Sequence, residues 1–160
     1  MFSVTLICVG KLKEKFYLAA AEEYCKRLKA YVDFTLLELP ETRLPDEPSP
    51  AQIAQGLAKE AELIRAKIPK GAWFCVLTPE GAQLSSEELA QTLASVRQSG
   101  KSGACFLIGS SFGMDASLKK LADRKLSMSK MTFPHHLARV MVLEQLYRAE
   151  SIQAGSKYHK

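Results

Sequence analysis

Residues 127–139 read SMSKMTFPHHLAR. His135 and His136 follow Pro134 directly, and an imidazole titrates close to neutral pH, so a histidine at a helix start can accept or donate a proton there. Ahead of them, Ser129, Lys130 and Thr132 leave backbone polar groups free to grip a ligand, while Met128, Met131 and Phe133 offer apolar surface. A second group stands at the end of the chain, Lys157-Tyr158-His159-Lys160. An exposed tyrosine can stack on a nucleobase and lysines can meet phosphates. His135 and His159 are the candidate proton acceptors.

Two further stretches share the small, polar character of 127–133. They are LTPEG (77–81) and LIGSSFG (107–113), each following an apolar run. In parallel sheets ligands bind beyond the carboxyl ends of the strands. Leu77, Thr78, Gly81 and Gly109, with Met128, Ser129, Lys130, Met131, Thr132 and Phe133, are therefore candidate ligand-binding positions. Several chemistries lack their signatures. No G-x-G-x-x-G follows a strand, as a dinucleotide enzyme needs. Gly100-Lys101-Ser102-Gly103 imitates the end of a phosphate loop, but Ser95 stands where the leading glycine belongs, and a strand follows instead of preceding. No G-x-S-x-G marks a hydrolase, and no carboxylate cluster suggests magnesium. The three histidines and the scattered Cys8, Cys25, Cys75 and Cys105 do not cluster as zinc ligands do, so no metal is expected.

The elements that position these loops follow from periodicity. FSVTLICV (2–9) reads as a first strand. Apolar residues every four positions from Phe16 to Leu28 predict an amphipathic helix over 14–31. A short strand covers 34–39, and four prolines in 40–50 exclude regular structure there. Ser49 and Pro50 open the next helix, which Lys70-Gly71 ends. AWFCVLT (72–78) is a strand apolar on both faces and stops at PEG. Ser85 and Glu88 form a capping box for a helix closed by Gly100. ACFLI (104–108) is another buried strand, Asp115 caps a short helix, and a weaker strand runs over 124–128. A last helix spans 134 to about 149. Strict alternation predicts one α/β domain over 1–160 with a mostly parallel sheet and helices on both faces.

The totals fit this reading. The chain has 160 residues, 47% apolar and 24% charged, the balance of one globular domain with a core. No apolar run reaches membrane-span length, so no membrane partner is expected. The start reads as a strand and not as a signal peptide. Three cysteines lie in apolar strands, where thiols act as small core residues, which points to a reduced, cytoplasmic protein. A net charge of +5 suits a phosphate-bearing partner. Its densest part is Lys119, Lys120, Arg124, Lys125 and Lys130. In the last helix Val140-Met141-Val142-Leu143 puts apolar residues on more than one face, so one face is expected to meet a second copy of the chain.

VGKLKEKF (9–16), the LIG loop, SMSKMTFPH, RVMVLEQLYRA (139–149) and the closing YHK together resemble the large-subunit ribosomal RNA pseudouridine methyltransferases of the SPOUT superfamily. The likeness covers the whole chain. One departure is Ser110, where that family commonly has a second glycine after Leu-Ile. The resemblance implies a C-terminal trefoil knot over roughly residues 72–160, S-adenosylmethionine held by the three loops, and a homodimer packed through the last helix. It implies N3-methylation of a pseudouridine in 23S rRNA within the assembled ribosome. His135, Tyr158 and His159 are then the candidate catalytic residues, and Arg139, Arg148, Lys157 and Lys160 the candidate RNA contacts. His136 is assigned a solvated or packing role. The alternatives are a SPOUT methyltransferase acting on tRNA and a non-catalytic ribosome-associated RNA-binding protein.

Overall fold

The computed structural model describes residues 1–160. Strands and helices alternate as β1 (Ser3–Val9), α1 (Lys15–Leu28), β2 (Asp33–Leu39), α2 (Pro50–Lys67), β3 (Trp73–Ala82), α3 (Ser86–Gln98), β4 (Gly103–Ile108), α4 (Ala116–Leu121), β5 (Arg124–Leu126) and α5 (His135–Gln153). The strands form one sheet in the order β2-β1-β4-β3-β5, and every pairing is parallel. β4 sits at the centre and all its residues are buried, as a strand covered on both faces requires. On one face α1, α3 and α5 bury Leu28, Leu93 and Leu143 with Phe106 and Leu6. On the other, Ala61 and Ile64 of α2 and Leu118 of α4 pack on Ile7, Val76 and Leu107. The knot implied by the resemblance is compatible with this strand order.

Local chemistry sets the helix starts. Ser49 accepts from the Gln52 amide while the Gln52 side chain accepts from the Ser49 amide, and Ser85 and Glu88 repeat the arrangement. Asp115 caps α4 through the Ser117 amide. The buried thiols of Cys8, Cys75 and Cys105 are pushed up to about 12 by desolvation, so they are inert core residues.

Three boundaries differ from expectation. β3 does not stop at PEG. Its pairing with β5 breaks and resumes, so that Leu77 and Ala82 both face Leu126. Pro79 offers no amide to the ladder, and Gly81 lets the strand return. A Cβ on Gly81 would lie 2.6 Å from the Leu126 backbone. β5 is shorter than expected: it ends at Leu126, and the Ser127 amide makes one last bond to β3, at Ala82 O, before its hydroxyl turns the chain into the loop through Ser129 O. α5 continues past residue 149, held by Arg97, which reaches from α3 to Glu150 and Gln153.

Arg139 requires a correction. It was expected to meet RNA phosphate, but it is only 1% exposed. Its guanidinium pairs with Glu38 of β2 and donates to Gly10 O at 2.9 Å. Glu38 also accepts from the Leu12 amide at 3.1 Å. α5 begins over the carboxyl ends of β1 and β2, where the buried Arg139 guanidinium meets the partly exposed Glu38 carboxylate and is committed there. Replacing Arg139 by Met removes the cation from Glu38 and the donor from Gly10 O and should lower the unfolding free energy by about 1–3 kcal/mol. A denaturant melt of R139M checks this.

Candidate active site

The carboxyl ends of β3, β4 and β5 enclose a cavity of about 670 Å³, large enough for a nucleoside-sized ligand. Leu77, Thr78, Gly109, Met128, Ser129, Lys130, Met131, Thr132 and Phe133 all line it, with His135. Residues spread over nearly sixty positions of sequence are thus brought together by three neighbouring strand ends.

Each loop has its own scaffold. In the first, the Thr78 hydroxyl donates to Glu80 at 2.5 Å, and Lys119 bonds the other Glu80 oxygen at 2.6 Å. Lys119 and then Thr78 hold the Glu80 carboxyl down to about 2. Lys119, counted by sequence among free basic residues, is therefore committed to the rim. Glu80 was missed; its only signal was a carboxylate two residues after Thr78. In the second loop Ser110 and Gly113 exchange backbone bonds of 3.0 and 2.9 Å. A Cβ on Gly109 would come 2.4 Å from Gly113 O, so this position has no room for a side chain. Ser110 has no positive φ, so the serine at the family's second glycine position costs no backbone strain. In the third loop the Ser127 hydroxyl donates to Ser129 O, and the Ser129 hydroxyl accepts from the Met131 amide. These serines hold the loop's shape, which explains so polar a stretch between strand and helix. Met131 projects outward, 75% exposed.

His135 is the first residue of α5, after Pro134. Burial, reinforced by the neighbouring His136, lowers its pKa from the ordinary 6.5. It is therefore neutral at pH 7 and free to take a proton. His136 packs edge-on against Tyr17 and lies 3.5 Å from Glu14, the packing role expected of it.

Other candidates lie elsewhere. Gly81 does not line the cavity; its role is the close approach of β3 to β5. Tyr158 and His159 are also absent from the lining. The tail turns back after Gly155 and lies along α5. Tyr158 OH donates to Glu144 at 3.1 Å, and the Arg148 guanidinium sits over its ring. Burial, then the Glu144 carboxylate, pushes the Tyr158 phenol up to about 12, so it stays protonated. His159 has Nε2 2.6 Å from Glu87 and Nδ1 3.1 Å from Arg148. Both ring nitrogens are thus occupied, and His159 is not placed to accept a proton at the cavity of its own chain. Arg148 also bonds Glu144 at 2.6 and 2.9 Å, so it too is engaged within the protein. Lys157 and Lys160 are exposed. Glu144, the partner of Tyr158, also lines a second, apolar cavity of about 580 Å³ with Leu84, Leu89, Met128, Val140 and Met141. Met128 lines both cavities.

A family model described as "Predicted SPOUT methyltransferase" matches residues 2–159. The chain belongs to the SPOUT methyltransferase family. It is similar to the protein named Ribosomal RNA large subunit methyltransferase H from Moorella thermoacetica, 44% identical over 160 residues and the full length of both. Proteins of the same name from Acetivibrio thermocellus and Streptococcus suis are 43% and 41% identical over 157 residues, covering 98% of this chain and 99% of each relative. Among solved structures, a probable methyltransferase from Bordetella pertussis Tohama I superposes with a TM-score of 0.54 at 16% identity, over 92% of this chain and 93% of that one. A probable methylase family protein from Haemophilus influenzae gives 0.52 at 13% identity, over 99% and 70%. These two share the fold. A SPOUT methyltransferase therefore has its cavity at the three strand ends singled out by sequence. No group of three or more His, Cys, Asp or Glu is placed to hold a metal, and no helix is long and apolar enough to cross a membrane.

Two outcomes are expected. Gly109→Ala should push the second loop away from Gly113 and lower stability by about 1–3 kcal/mol in a thermal melt. An NMR titration of the His135 ring should give a midpoint below 6.5, which should rise when His136→Asn removes the neighbouring charge.

Proposed function

We propose that this enzyme transfers a methyl group from S-adenosylmethionine to N3 of a pseudouridine in 23S rRNA, acting as a homodimer on the assembled ribosome. The observation that carries the reading is identity of 41–44% over nearly the full length of proteins named Ribosomal RNA large subunit methyltransferase H. A ribosomal substrate accords with an enzyme of the cytoplasm.

The cavity residues fit S-adenosylmethionine. Leu77, Met128, Met131 and Phe133 can cover the faces of an adenine, and the tight turn at Gly109 leaves the backbone open to a close-lying ribose. When bound, the cofactor supplies an electrophilic methyl group on a sulfonium. N3 of pseudouridine carries a proton that must leave before or during attack. His135 is neutral, lines the cavity and takes that proton. The loop around Met128–Phe133 sets the position of the reacting groups and excludes water.

The dimer rests on α5. Val140 and Met141 are half-exposed beside an apolar cavity that continues to Met128. A second copy seated there lies next to the cofactor cavity, and its tail can bring Tyr158 and His159 to a site their own chain does not reach. A small net charge implies weak, salt-sensitive binding to bare RNA, which accords with a folded ribosome as substrate.

The test is methyl transfer from labelled S-adenosylmethionine to assembled ribosomes lacking the modification, beside separated large subunits and naked rRNA, with the nucleoside identified by mass spectrometry. Methylpseudouridine on assembled ribosomes alone is the expected result. Transfer to tRNA and to no ribosomal substrate overturns it, as does a failure to bind S-adenosylmethionine in calorimetry, which points to a non-catalytic RNA-binding protein. His135→Ala should lower kcat by roughly 100-fold or more while leaving cofactor affinity nearly unchanged. In the wild type the rate should be full at pH 7 and fall as pH drops through the lowered His135 pKa, because protonation removes the acceptor.

A further inference from the structure

Beside the cofactor cavity lies a polar one of about 490 Å³, lined by Gly10, Lys11, Lys13, Glu38, Glu41 and His136, with His135 in the wall common to both. Its charges do not cancel evenly. Glu38 is taken by Arg139 and the Leu12 amide. Glu41 accepts from the Ser111 hydroxyl, and His136 faces Glu14. Neither Lys11 nor Lys13 has a carboxylate within 4.0 Å. Two ammonium groups without a carboxylate partner thus face a cavity in which Glu38 is paired with Arg139 and Glu41 is the one acid lacking a cation, which leaves an excess of positive charge.

The loop that carries them is built to hold them out. Gly10 takes φ +98°, its amide bonds Leu39 O at 2.7 Å, and its carbonyl accepts from Arg139. Leu12 is buried and its amide bonds Glu38. Lys11 and Lys13, on either side of Leu12, are exposed. An ordinary surface lysine sits on a chain free to move. These two sit on a backbone fastened at Gly10 and Leu12 to the same Arg139–Glu38 pair that anchors the start of α5 and hence His135.

We propose that Lys11 and Lys13 form a phosphate subsite that grips the RNA backbone flanking the nucleotide to be methylated, across His135 from the cofactor. The proposal rests on the RNA methyltransferase reading above. A base presented to His135 leaves its sugar-phosphate to one side, and the side away from the cofactor cavity is the one with the lysines. Arg139, which sequence suggested for this role, is the buried anchor; the lysines on the loop it fastens make the contact.

The experiment compares wild type, Lys11→Ala/Lys13→Ala and Lys11→Arg/Lys13→Arg. Calorimetry with S-adenosylmethionine reports fold and cofactor site, and kinetics on unmodified assembled ribosomes over a salt series reports RNA contact. The alanine pair is expected to bind the cofactor as wild type does, to raise KM about tenfold or more, and to flatten the slope of log(kcat/KM) against log salt by about 1.5. Its kcat should stay within about threefold, because ground-state binding is what it loses. The arginine pair should restore the slope. An unchanged KM and slope in the alanine pair overturns the subsite, and so does weakened cofactor binding with an unchanged slope, which reassigns the lysines to the cofactor. Wild type failing on every ribosomal substrate is a different result, visible without any variant, and sinks the rRNA reading together with the subsite.

Discussion

A guanidinium sealed from water at the crossing of β1, β2 and α5 is the constraint on which the site depends. Arg139 is buried among groups that satisfy its charge and hydrogen bonds, the Glu38 carboxylate and the Gly10 carbonyl. A buried charge is tolerated only with such partners, so the three elements that supply them must keep one arrangement. Arginine suits the position because its fork reaches two acceptors at once, which a lysine ammonium on a single stem does less well. Through this one residue the first turn of α5, the loop after β1 and the end of β2 are fixed together, and His135 and the two exposed lysines inherit their places.

The cofactor cavity rests on a second constraint, the close spacing of strand ends. Gly109 lies against the Gly113 carbonyl and Gly81 against the Leu126 backbone, at distances no side chain permits. The first folds the loop after β4 back on itself, and the second brings β3 against β5, while β3 also pairs with β4. The loops that follow are then held by small internal bonds, between Ser110 and Gly113 and between Ser129 and Met131. Such bonds set the shape without filling the space, so the cavity remains available to a ligand.

The far side of α5 is organised differently. There Arg148, Glu144, Tyr158, His159 and Glu87 form a connected set of hydrogen bonds and ion pairs over an apolar cavity. Only the His159–Glu87 pair is exposed, and such a pair contributes little stability. The last residues of the tail are thus lightly held, while Tyr158 is seated against Glu144, Arg148 and Tyr147.

Much of the architecture was legible in the sequence because its causes are local. Apolar runs of strand length, caps such as Ser49 with Gln52 and Ser85 with Glu88, and alternation of element types all act within a few residues. The three ligand loops were readable for the same reason, as small polar stretches after apolar strands. What could not be read was where a side chain ends up when its partner is far along the chain. Arg139 looks like any surface arginine until α5 is laid over β2, and its partner Glu38 is 101 residues away. Gly81 looks like a loop glycine until β5 arrives beside it. Tyr158 and His159 look like site residues, yet one chain folds them away from the cavity. The sequence alone determined the elements and the chemistry available at their ends. Tertiary structure decided which of those groups are buried as anchors and which face the cavity, because burial and pairing depend on contacts that no local pattern encodes.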